Sequence, residues 1–181
     1  DGPRIGDQER PDRRSEDHAA LGVRVIEEEE MLRAWDKRDR HLILTAIAHH
    51  NKRDLPDDLT DRELRFARLL RDADKLDIWK VVIDYYQGRD GEQNEAIELE
   101  LPDTPGVSDR VYRDLLHRRS VEFSHMENLN DFKLLQLAWI FDLNFRPSIR
   151  RVRDRGYLEQ IRAVLPDSPE IEEVFASVVE Y

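Results

Sequence analysis

Four side chains of this 181-residue sequence combine metal-binding chemistry with placement on apolar faces: His18, His49, His50 and Asp74. His18 falls in the series His18, Leu21, Gly22, Val25, Leu32, whose spacing is close to the 3.6-residue period of a helix. His49 shares a face with Leu42 and Ala46, and Ile43 and His50 flank it. In the segment Phe66–Val81, Ala67, Leu70, Ile78, Val81 and Tyr85 form one stripe with Asp74 at its centre and Asp77 at its edge. Asp72 then belongs to the opposite, charged face with Arg65 and Arg68. A carboxylate on a core-facing stripe must be paired, protonated or bound to a metal, because burying it alone costs several kcal/mol. One imidazole on an apolar face is ordinarily a satisfied core residue. Three imidazoles converging with a carboxylate suit a hard or borderline divalent ion such as Mn, Fe, Ni, Co, Zn or Mg. For Asp74 taken alone, a structural ion pair or helix-end hydrogen bond is the plainer alternative.

Convergence depends on the helices that carry these residues. The spacing predicts a first helix from Ser15 as N-cap, a break at 36–38, and a second helix ending at His49-His50. A short turn makes the two antiparallel, and at about 1.5 Å of rise per residue His18 and the His49-His50 pair fall within about 10 Å along the axis. Residues 51–59 read as a loop. Thr60-Asp61-Arg62-Glu63 reads as a capping box opening the longest helix, about 61–86. The 87–107 connector is too long for a bland turn, and the alternation of Ile97, Leu99 and Leu101 with Glu98 and Glu100 predicts an extended flap or short strand within it. Helices are expected near 108–118, 130–143, 148–165 with a break at Gly156, and 168–179. The fold class is all-α. Residues 1–14 read as a loop, 15–125 as the helical core and 126–181 as a helical extension.

Composition narrows the classes of function. Asp and Glu number 40 against 29 Lys and Arg, a net charge of −11, so the chain lacks the basic field of a general nucleic-acid or membrane-surface binder. There is no cysteine, which excludes disulfides, thiolate zinc sites and a cysteine nucleophile and leaves imidazole and carboxylate as metal ligands. No apolar run approaches the roughly 20 residues of a membrane span, and nothing reads as a signal peptide, so a cytoplasmic protein is expected. Walker, G-x-G-x-x-G and G-x-S-x-G motifs are absent.

The segments Asp17-His18-Ala19-Ala20-Leu21-Gly22, Ala48-His49-His50-Asn51-Lys52 and Arg71-Asp72-Ala73-Asp74-Lys75-Leu76-Asp77 resemble the later part of the HD-domain metal-dependent phosphohydrolases. The resemblance covers about residues 15–86. Residues 137–145, Leu-Ala-Trp-Ile-Phe-Asp-Leu-Asn-Phe, look like a C-terminal helical extension of bacterial HD proteins. It implies an HD-like helical bundle with Asp74 as the distal metal ligand, His18 as the first additional histidine, and His49 or His50 as the second. The family's first His and its His-Asp doublet are not among these residues. The resemblance places them upstream, with Asp1 as a weak candidate for the doublet's Asp.

The expected activity is hydrolysis of a nucleotide or other small phosphoester by metal-activated water, with Lys52 and Lys75 as the nearest cations for the phosphate. Lys75 falls towards the polar face of its helix, where a surface role is the plainer reading. The acidic balance favours a small phosphorylated substrate over a polynucleotide. The alternative is a catalytically degenerate HD-like module that binds a nucleotide or partner, or one that self-associates through Trp139, Ile140, Phe141 and Phe145. Asp142 reads as a structural cap or ion pair, and His41 and His117 as surface residues; His125 carries no role.

Overall fold

A computed structural model describes residues 17–88 and 94–181. The expected loop at 1–14, the Ser15 cap and Asp1 therefore lie outside the described residues. The fold is all-α, as the composition and periodicity imply, and no strand occurs among the described residues. The chain divides into two units at Leu70/Arg71.

In unit 1, α1 (His18–Glu28) and α2 (Lys37–His49) pack against each other, and α3 (Asp61–Gln87) contributes its first ten residues. Each start has a polar cause. The Asp17 carboxylate accepts from the backbone N–H groups of Ala19 and Ala20 at 3.0 and 3.4 Å. Asp36 does the same for Arg38 and Asp39 at 2.8 and 3.0 Å. At Thr60 the expected capping box is complete: Glu63 Oε2 accepts from Thr60 N at 2.8 Å, and Glu63 N donates to Thr60 Oγ1 at 3.3 Å.

The α1 face that meets α2 keeps Gly22 of the expected stripe, with His18 at its end against His50, but the stripe's apolar members are not all buried. His18 and Val25 are exposed, and Leu32 lies beyond the helix end. Ala19 is buried instead, and a Cβ on Gly22 would stand 3.6 Å from Ile47 Cγ2. Small residues let the two backbones approach, so the contact face is marked by Ala19, Gly22 and Ala46 more than by large apolar side chains.

Unit 2 is built around α6 (Leu129–Ala138), every residue of which except Leu135 is buried. α5 (Asp109–Leu116), α8 (Tyr157–Arg162) and α9 (Pro169–Val179) pack on it, and α7 (Arg146–Asp154) packs on α8. Asn128 and Asp131 form a capping box at the start of α6. The Asp131 carboxylate is fully buried and is satisfied by Ser108 N at 2.8 Å, the Ser108 hydroxyl, and Glu127 N at 2.8 Å. The expected break at Gly156 is present, with φ of 62° that a glycine adopts without strain.

Residues 97–101 are not a strand or flap. α4 (Glu95–Glu98) is a single helical turn, and Leu99 and Glu100 follow with left-handed φ of 56° and 55°. Ile97 and Leu101 pack against the core, but Glu98 is drawn inside with them: it is 4% exposed and accepts from Tyr85 Oη at 2.7 Å, while Leu99 stays exposed. Of the four residues expected to mediate self-association, Ile140 is buried in this unit's core and Trp139 and Phe141 pack partly buried against it.

Candidate functional site

α1 begins where α2 ends, so the antiparallel hairpin brings His18 and His50 together. Their Nε2 atoms stand 3.0 Å apart, with the rings at 64°. His50 Nδ1 lies 2.7 Å from the Ile47 carbonyl oxygen, which can only accept, so Nδ1 carries the proton and donates. In the neutral ring, Nε2 then presents its lone pair towards His18. A backbone carbonyl holding the remote ring nitrogen is the arrangement that orients metal-binding imidazoles. His49, the last residue of α2, is partly buried and takes no part in the His18–His50 contact.

The flank of the imidazole pair is polar and tightly coupled. Besides capping α1, the Asp17 carboxylate accepts from Asn51 Nδ2 at 2.7 Å and from the Lys52 ammonium. Lys52 first and Asn51 second hold the Asp17 carboxyl well below the usual carboxylate range, against the opposing effect of partial desolvation. Lys52, expected to meet substrate phosphate, is thus ion-paired, with its side chain still 46% exposed. A helix begun from Ser15 would leave Asp17 inside its first turn, whereas Asp17 is the N-cap of α1. Its reach to Asn51 and Lys52 follows from the hairpin.

The carboxylates of α3 are distributed differently from the expected stripe. In unit 2, Asp74 is partly buried and Asp77 exposed, whereas Asp72 is 1% exposed. Asp72 accepts from Asn144 N at 3.0 Å, Asn144 Nδ2 at 2.9 Å and Phe145 N at 3.0 Å, joining α3 to the residues that lead into α7. Trp79 sets this face. It is wholly buried, its indole N–H donates to the Gln136 carbonyl at 3.0 Å, and Asp72 lies seven residues, about two turns, before it. A stripe drawn through Ile78 and Val81 omits the largest side chain of the helix, and Val81 is in fact 50% exposed. Lys75 is not on the surface either: its ammonium lies 2.7 Å from Asp142 Oδ2, which also accepts from Arg71 at 2.8 Å. Asp142 is therefore the ion-pair partner its position on the stripe edge suggested. His41 is exposed and lies 2.8 Å from Glu63, and His117 caps the end of α5. His125, for which the sequence indicated no role, pairs with Asp114 at 2.7 Å.

The chain matches no protein-family model, no curated protein and no solved structure. Among the described residues, no group of three or more His, Cys, Asp or Glu side chains is gathered so as to hold a metal ion. What unit 1 offers is two imidazole nitrogens facing each other. Two nitrogens bound to one zinc-like ion at about 2.0–2.1 Å in tetrahedral geometry are roughly 3.3 Å apart, close to the observed spacing. The donor set fits a two-imidazole grip, with any remaining positions left to water or ligand oxygens.

Proposed function

We propose that the chain is a metal-dependent phosphohydrolase of the HD-domain kind, acting on a nucleotide or other small phosphoester, with His18 and His50 holding a divalent metal. The observation that carries this reading is the 3.0 Å approach of the two Nε2 atoms, combined with the Ile47 carbonyl fixing the His50 proton on Nδ1. When bound, the metal would polarise phosphate oxygens and make a bound water acidic. The residues of the chain do the rest. His50 offers a lone pair in a fixed direction. His18 donates its Nε2 proton to His50 in the free protein and would carry that proton on Nδ1 when Nε2 is a ligand. Asp17 and Asn51 hold Lys52 beside the pair, where the half-exposed ammonium can meet an incoming phosphate oxygen. Asp74, in the other unit, has no role in this reading.

A second reading, a helical module that binds without catalysing, is favoured by the finding that the described residues bring only two imidazoles together. Titration of the 181-residue chain with Co(II), Ni(II) or Zn(II) by calorimetry tests both. One equivalent bound, an affinity lowered at least about tenfold in His18→Ala and in His50→Ala, and metal-dependent release of phosphate from a nucleoside monophosphate support the hydrolase. Binding without hydrolysis supports the module. Failure to bind any of the three ions overturns the metal site.

A further inference from the structure

α7 carries a feature at odds with the chain's charge. The segment Arg146-Pro-Ser-Ile-Arg150-Arg151-Val-Arg153-Asp-Arg155 holds five arginines in a chain whose net charge is −11. Arg146, Arg150 and Arg153 fall at i, i+4 and i+7, so they share one helix face. Together with Ile149 they line a concave site of about 190 Å³. All three are exposed, their aliphatic stems and Ile149 form the mostly apolar lining, and Ile149 packs on the core beneath. Arg153 makes a long, exposed ion pair with its neighbour Asp154, Nε to Oδ1 4.0 Å. Arg146 and Arg150 have no acidic partner among the described residues.

Like charges one turn apart repel, which destabilises an isolated helix. Arg150 and Arg153, near the C-terminal end, are partly compensated by the helix dipole. Arg146, the first residue of α7, is not: it adds its charge to the positive end of the dipole, and the first turn contains no acid. With acids in surplus elsewhere, a face on which Arg146 and Arg150 stay without an acidic partner is open to an anion supplied from outside.

We propose that Arg146, Arg150 and Arg153 form a binding site for a diphosphate-bearing small molecule. Arginine, used here to the exclusion of lysine, presents a planar fork of donors that matches phosphate oxygens two at a time. Guanidinium groups set about one turn apart are met by two adjacent phosphoryl groups and not by one isolated charge. Ile149 supplies an apolar wall for the part of the ligand next to the phosphates. The concavity is open to solvent, so the choice between a compact anion and an acidic peptide is read from the titration below. This site stands whether or not His18 and His50 bind a metal.

Calorimetric titration of the 181-residue chain at low ionic strength, where such contacts are least screened, tests the proposal with pyrophosphate, orthophosphate, sulfate and a hexaglutamate peptide. Pyrophosphate is expected to bind at least about tenfold more tightly than orthophosphate or sulfate. Arg150→Gln and, separately, Arg146→Gln should each weaken it at least about fivefold with an unchanged far-ultraviolet circular dichroism spectrum. Arg151→Gln, on the same helix but outside the concavity, should change it by less than about twofold, since a distant screened charge contributes little. The proposal is overturned if pyrophosphate does not bind, if it binds no better than sulfate, if hexaglutamate matches it, or if Arg151→Gln weakens it as much as Arg150→Gln does.

Discussion

The two units are stabilised by different means. In unit 2 α5, α8 and α9 pack on α6, and Trp79, Leu134, Leu137 and Ile161 lose essentially all contact with water. In unit 1 the buried apolar residues among those described are Ala19, Leu42, Ala46 and Ala67, three of them alanines, while Met31, Trp35 and Leu69 are more than half exposed. Apolar burial contributes about 25 cal/mol per Å², so alanines contribute little and unit 1 depends more heavily on caps and ion pairs. Those groups include Asp17, Asp36 and Glu63, each with a carboxyl held below its ordinary range by the hydrogen bonds it accepts. Unit 2 also buries carboxylates, Asp72 and Asp131 among them, but sets them within a large apolar core, whereas unit 1 has little besides its polar contacts.

The sharpest way to break this contrast is to make the same substitution in both units. Trp79→Ala should destabilise unit 2 by about 3–5 kcal/mol in urea denaturation, because a wholly buried indole and its hydrogen bond to Gln136 are lost. Trp35→Ala, at a side chain 55% exposed, should stay within about 0.5 kcal/mol. Comparable losses at the two positions would end the distinction. Asp72→Ala should have the next largest effect, roughly 2–3 kcal/mol, since it removes the acceptor of Asn144 N and Phe145 N. Its thermal midpoint should fall with no change in the affinity for Co(II), because Asp72 belongs to the packing of unit 2.

The smallest effect is the pH dependence of unit 1. The folded-state pKa of Asp17 is depressed, so its contribution is fully present above the unfolded value, near 3.9, and is lost as the pH falls through the folded one. Glu63 and Asp36 act in the same direction. Acidification below about pH 4 should therefore loosen the α1–α2 hairpin, read as loss of amide-exchange protection in 18–50, before unit 2 responds. Asp17→Asn should make that loss shallower, whereas simultaneous loss in both units would contradict the assignment.

Local signals were legible in the sequence wherever one residue decides the structure. Thr60 with Glu63, Ser168 before Pro169, and Gly156 each mark a boundary by their own chemistry, and the structure places boundaries there. The all-α class follows from the sum of such signals. The faces of helices were harder to read, because a face is decided by what the rest of the chain brings against it. Asp72 reads as a surface residue until Asn144 and Phe145 are folded onto it, and Glu98 reads as polar until Tyr85 reaches it. Of the candidate site, the meeting of His18 with His50 was legible because it needs only a helix, a turn and a second helix. Asp74 belongs to unit 2, whose buried face is set by Trp79, a residue that a periodicity drawn through smaller apolar side chains passes over.

The three tryptophans of the chain are divided between these environments. Trp35 is solvated in unit 1, whereas in unit 2 Trp79 and Trp139 stand 5.7 Å apart edge to face. The molecule thus contains two optical reporters that need no label. The red-shifted, iodide-quenchable part of its emission belongs to unit 1 and the blue-shifted, shielded part to unit 2. The close indole pair adds an exciton signal in the far ultraviolet, which vanishes only when unit 2 opens. A single denaturation followed at these wavelengths resolves whether the units melt together or in sequence.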